Sequence, residues 1–159
     1  METKNTNNIG LDIDKSKHVA EKLNDLLSNY QLFYMNLRGF HWNIKGKKFF
    51  ELHIKFEELY NDALIKVDEI AERVLTLSET PLHSFKKYLA TSEINPAENI
   101  KDGELAVNKI LEALNILLAK ERTILTMASE ANDEGTVALM SDYIVEQEKL
   151  VWMLSSYLE

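Results

Sequence analysis

Cysteine is absent from the 159 residues, so the chain has no disulfide, no thiol nucleophile and no Cys-ligated zinc. Redox compartment therefore cannot be read from its thiols. Proline occurs twice and glycine five times. Sandwiches and barrels spend these residues on their many turns, so the scarcity excludes both and favours a few long helices. No apolar run reaches the roughly 18 residues that suggest a membrane span, and residues 1–17 hold no apolar core of the signal-peptide kind. A cytoplasmic protein without membrane association is the expectation. Positive charge is also in deficit: 18 Lys and Arg stand against 26 Asp and Glu, a net charge of −8. That balance disfavours indiscriminate binding to nucleic acid or anionic lipid. What remains, at this length, is one soluble all-α domain able to bury a sizeable core.

What is present is helical periodicity. Val19, Leu23, Leu26, Leu27, Tyr30, Phe33, Tyr34 and Leu37 follow i, i+3, i+4, i+7 steps, which predicts a helix from near Ser16. The polar run around Gly46, residues 43–48, ends it. A second periodic stretch runs from about residue 49 to 77 and closes before Pro81. Both prolines fall in the weakly patterned stretch 78–101, where residues 83–90 read as one or two helical turns. A third stripe comprises Val107, Ile110, Leu111, Leu114, Leu117, Leu118 and Leu125, with Asp102 as its cap. After a turn at 132–135, the last helix presents Val137, Met140, Ile144, Leu150, Val151 and Leu154. Two helix pairs with short internal turns and a long connection between them predict a four-helix bundle, its crossover carrying a short helix. That is the ferritin-like connectivity. Residues 1–15 read as a flexible tail and 16–159 as the bundle domain, with no internal repeat or low-complexity run.

The densest chemistry-bearing text joins the first two helices: Phe40-His41-Trp42-Asn43-Ile44-Lys45-Gly46, then Phe49-Phe50-Glu51-Leu52-His53. His41 continues the stripe four residues after Leu37 and is expected to face inward, where a lone His is more often a hydrogen-bonded core residue than a ligand. The acids of the second helix add weight to ligation. Asp68 and Glu72 are i, i+4, as are His53 and Glu57, and imidazole with carboxylate suits iron, manganese or zinc. In a chain this acidic such pairs also arise by chance on solvated faces. Val67, Ile70, Ala71 and Val74 intervene closely, however, and predict burial around Asp68 and Glu72, where paired carboxylates need a counter-charge.

Geometry restricts how these residues can meet. His53 and Asp68 are 15 positions apart on one predicted helix, hence about 22 Å along its axis. They cannot share an ion within one chain. Two copies of the helix, antiparallel about a two-fold axis near residues 60–61, would bring His53 of one to Asp68 of the other and create two equivalent shared sites. A di-iron centre inside one subunit uses Glu-x-x-His motifs. None occurs: the residues three before His18, His41, His53 and His83 are Lys15, Arg38, Phe50 and Thr80.

The pattern His41-Trp42-Asn43-x-x-Gly46-x-x-Phe49-x-x-x-His53, followed by Asp68-Glu69-x-Ala71-Glu72-Arg73, resembles the Dps family, the mini-ferritins. Glu148-Lys149-x-x-Trp152-Met153-Leu154 resembles it as well, and the likeness covers residues 15–158. The resemblance implies a hollow dodecameric shell that oxidises Fe(II), with hydrogen peroxide preferred over dioxygen, and stores ferric mineral against oxidative stress. It implies a ferroxidase centre holding two iron ions, with His41 and His53 from one subunit and Asp68 and Glu72 from its neighbour. Glu57 falls where many members have Asp, which bears on the second iron position. Trp42 would lie against the centre and take up stray one-electron equivalents, or serve as a large core aromatic. Glu58 is a candidate for mineral nucleation, although Ile54 stands where some members are acidic. Asp133, Glu134 and Asp142 would line an iron pore or act as ordinary helix-start acids.

DNA binding, which the family's name proclaims, is not expected of this chain. Residues 1–15 hold Lys4 and Lys15 against Glu2, Asp12 and Asp14, whereas DNA-condensing members rely on basic tails. A DNA-protecting structural oligomer with a secondary iron site is the alternative reading, and a bare interaction bundle with structural His and acid residues a third.

Overall fold

The computed structural model describes residues 5–159; the first four residues of the expected N-terminal tail lie outside the described residues. Five helices follow in order: α1 Ile13–Asn43, α2 Phe49–Thr76, α3 Phe85–Thr91, α4 Gly103–Glu130 and α5 Glu134–Leu158. No strand interrupts them among the described residues. The long helices α1, α2, α4 and α5 form the bundle, and the crossover between α2 and α4 carries α3, which packs on α1. This is the all-α four-helix architecture expected from the sequence.

Helix starts follow the capping side chains. Asp102 accepts from the Leu105 amide and begins α4, as its position predicts. In α1 the cap is Asp12, which accepts from the Lys15 amide at 2.9 Å. The helix therefore begins three residues before Ser16 and takes in residues assigned to the tail. Residues 5–12 also return onto it: Asn7 donates to Ser16 Oγ at 3.2 Å. At the α1–α2 turn Gly46 has φ of +116°, a backbone conformation that side chains strongly disfavour. The Lys45 amide then donates to the Lys101 carbonyl at 2.9 Å, tying this turn to the end of the crossover.

The core is one apolar cluster through all four long helices, including Leu23, Tyr30, Leu37, Phe56, Ile70, Ile110, Leu117 and Met140. Between α4 and α5, Asp133 is buried. It caps Thr136 at 3.0 Å and receives the Arg73 guanidinium from α2 at 2.5 Å. A Cβ on Gly135 would sit 2.7 Å from that guanidinium, so the glycine is met by the Arg73 side chain, which Asp133 and Thr136 hold in place. Both Asp133 oxygens are committed to this junction. Of the two roles open to Asp133, the helix-start one is the one it performs; Glu134 and Asp142 are exposed.

Candidate metal centre

His41 lies in the last turn of α1 and His53 in the second turn of α2, and the tight turn between the helices sets them face to face. Their rings stack with centroids 3.7 Å apart and planes 10° from parallel. Each ring is fixed by the other residue's backbone. His41 Nδ1 is 2.6 Å from the His53 carbonyl oxygen, and His53 Nδ1 is 2.7 Å from the His41 carbonyl oxygen. A carbonyl oxygen only accepts, so in both rings Nδ1 carries the hydrogen and the neutral ring keeps its lone pair on Nε2. That is the tautomer a metal-binding imidazole needs, held by the backbone bonds that orient such ligands.

Aromatic side chains support the pair. Phe49 stacks on the outer face of His53 at 4.8 Å, and Tyr60 meets His41 edge-on at 5.3 Å. Trp42 does not take the core position open to it: it is 57% exposed, with the Arg38 guanidinium 4.7 Å from its ring. Arg38 also approaches the Tyr34 and Tyr60 rings.

The acids lie elsewhere. Glu57, Asp68 and Glu72 are all exposed on α2. The expectation of burial around Asp68 and Glu72 is thus corrected for the single chain. Ile70 and Val74 are fully buried, but at 100° per residue Asp68 and Glu72 project to the opposite side of the helix. Residues 53, 57, 61, 64, 68 and 72 instead run along one face in steps of three and four. Asp68 remains about 22 Å from His53 along a continuous α2. Among the described residues, no three His, Asp or Glu side chains converge within the chain to hold a metal. The outward side of α2 also exposes Phe50, Ile54, Leu64, Ile65 and Leu75, an apolar load unusual for a solvent-facing helix.

One polar cluster escaped the sequence reading. Tyr30 of α1, Glu121 of α4 and Gln147 of α5 hydrogen-bond to one another in the bundle interior. Beside them Tyr143 donates to Glu69 at 2.8 Å. Lys66, also buried, pairs with Asp62 and Glu146 at 2.6 and 3.0 Å. Burial opposes the charge of Lys66, yet these two carboxylates hold its pKa above the usual lysine value.

The relatives of the chain agree with this architecture. Residues 20–159 match the ferritin-like domain family. The chain is 43% identical over 148 residues to the DNA protection during starvation protein of Porphyromonas gingivalis, covering 93% of each. It is 36% identical to DNA protection during starvation protein 2 of Bacillus anthracis, over 90% of this chain and 98% of that one. The crystal structure of the Dps protein from Vibrio cholerae O1, described as a member of a broad superfamily of ferritin-like diiron-carboxylate proteins, superimposes with a TM-score of 0.96. The two are 54% identical, and the match covers all of both chains. Helix order, the paired histidines and these relatives converge: the chain belongs to the Dps family of the ferritin-like superfamily.

Proposed function

We propose that this protein is a ferroxidase and iron store, oxidising Fe(II), preferably with hydrogen peroxide, at a two-iron site shared between subunits of a dodecameric shell. The observation that carries the reading is the stacked His41–His53 pair, which offers two Nε2 lone pairs with no third ligand converging on them among the described residues. In the proposal the carboxylates that complete the site are Asp68 and Glu72 of a second copy. The exposed apolar face of α2 supports such pairing. Glu57, one turn beyond His53, is the proposed ligand of the second iron, and Trp42 the residue beside it.

Two ferrous ions held together supply both electrons that peroxide needs: two Fe(II), one H2O2 and two protons give two Fe(III) and two waters. A lone Fe(II) supplies one electron and releases hydroxyl radical. Pairing the ions is therefore what protects the cell. Imidazole nitrogens keep the ferrous ion bound, while hard carboxylate oxygens favour the ferric product. The net charge of −8 per chain attracts cations toward the ferric store.

Anaerobic protein is mixed with about two Fe(II) per proposed site, peroxide is added, and ferric absorbance is followed beside hydroxyl-radical trapping. Removing both imidazoles in the His41→Ala/His53→Ala variant is expected to slow oxidation at least about 100-fold, since loss of groups that merely support metal ligands already costs about 10–100-fold. It should raise trapped radical as well. Equal rates in wild type and variant would overturn the site.

The charge balance further predicts little DNA binding. At about 150 mM salt, phosphate contacts need a cluster of Lys or Arg, which residues 1–15 do not supply. Plasmid should run unshifted beside the assembled protein; retardation at that salt would restore the DNA-protecting reading.

A further inference from the structure

Glu121 has no exposed surface. Its Oε1 accepts the Tyr30 hydroxyl at 2.6 Å and one Gln147 amide hydrogen at 2.9 Å. The other hydrogen of the same Gln147 nitrogen goes to the Tyr30 oxygen. All three donor hydrogens of the cluster are then used. Two buried oxygens are left with no partner, Glu121 Oε2 and Gln147 Oε1. Turning the Gln147 amide over would not help, because its oxygen would then face another acceptor.

Among the described residues, no cation bonds to the carboxylate either. On α2, Lys66 is engaged by Asp62 and Glu146, and Glu69 receives Tyr143. On α4, Arg122 pairs with Glu148 at 3.0 Å on the surface. From α1 and α5 the neutral Tyr30 and Gln147 bond to the group, and Tyr143 packs against the Tyr30 ring. An ionised Glu121 would be a buried anion with no cation in contact, beside a second orphan acceptor; both are costly.

One hydrogen atom removes both faults. We propose that Glu121 carries a proton in the folded bundle, its Oε2–H donating to Gln147 Oε1, so that acid and amide form a ring of two hydrogen bonds. The ring locks α4 to α5, and Tyr30 extends the lock to α1. Burial pushes the Glu121 carboxyl up to about 7, against the opposing pull of Tyr30, Gln147, Lys66 and Arg122. Burial likewise raises the Tyr30 hydroxyl well above its usual value, so it remains a donor. The lock is therefore pH-sensitive. An acid protonated in the folded state and ionised in the unfolded state favours folding at low pH, and that contribution is lost as pH rises through about 7. Ordinary paired carboxylates give the opposite slope. The proposal stands apart from the iron site.

Infrared difference spectra of the assembled protein, titrated from about pH 5 to about pH 9, test it. A buried protonated-carboxyl carbonyl band is expected at the acid end, persisting after exposed carboxyls have ionised and disappearing near neutrality. Glu121→Gln should abolish the band. Its amide replaces the acid hydroxyl, so its thermal midpoint should also stay level where that of wild type falls with rising pH. Gln147→Met removes the acceptor while keeping the acid, and should move the band to higher frequency; this keeps the test intact if Glu121→Gln fails to fold. A wild type with no such band, or a band that survives Glu121→Gln or ignores Gln147→Met, would overturn the proposal. So would a missing band with stability that rises on adding potassium, which would assign the gap to a cation.

Discussion

Two inactive variants of this protein are expected to restore each other's activity. Subunits with His41→Ala/His53→Ala lack the imidazole half of the proposed centre, and subunits with Asp68→Ala/Glu72→Ala lack the carboxylate half. Alone, neither assembles a complete site. In a mixed dimer one of the two shared sites receives histidines from the acid-deficient chain and acids from the histidine-deficient chain. That site is intact, while its mate lacks both halves. With equal amounts and random pairing, half of the dimers are mixed, so about one quarter of wild-type sites should reappear. The result requires unfolding and refolding together, or co-expression, with mixing confirmed by mass spectrometry. Single-chain centres would give no recovery at any ratio. The prediction follows from the separation of about 22 Å along α2 between His53 and Asp68, too far for any rearrangement inside one helix to close.

Much of the bundle was legible in the sequence because helical burial writes itself as spacing. The stripes from Val19 to Leu37 and from Val107 to Leu125 correspond to buried faces of α1 and α4, and Asp102 marks a helix start because its side chain completes the first turn. The start of α1 was harder to read. Asp12 and Asp14 alternate with Leu11 and Ile13, and two apolar residues in alternation set no helical period to tell which acid ends the coil. The exposure of Asp68 and Glu72 was hidden for a different reason: the buried Ile70 and Val74 are their neighbours along the chain but lie on the opposite side of the helix. The stacked histidines needed the backbone itself, since two carbonyls fix their tautomer and no side-chain pattern records a carbonyl. Glu121 and Gln147 were hidden by the rule that exposed the core. Glu121 follows Leu117 by four, and Gln147 follows Tyr143 by four. Both occupy stripe positions where a polar residue looks like an interruption rather than a partner.

A single cysteine at residue 61 is expected to cross-link the protein to itself, and one at residue 54 is not. With no native cysteine, an introduced thiol can oxidise only with its own copy. If two α2 helices run antiparallel about an axis near residues 60–61, a residue n is displaced axially from its copy by twice its distance from that axis. For Asn61→Cys the offset is about 1.5 Å, and for Ile54→Cys about 20 Å. Packed helices have axes about 8–10 Å apart with each Cα about 2.3 Å off its axis, so facing Cα atoms come within about 5 Å. That is within the reach of a disulfide, whereas 20 Å is not. Both positions are exposed in the single chain, so accessibility does not distinguish them. Mild oxidation followed by non-reducing electrophoresis should therefore convert Asn61→Cys almost wholly to dimer and leave Ile54→Cys as monomer. Equal cross-linking would mean random collision, and none in a folded, assembled Asn61→Cys protein would move the axis. Either result would separate His53 from the partner's acids and remove the geometric basis of the shared site.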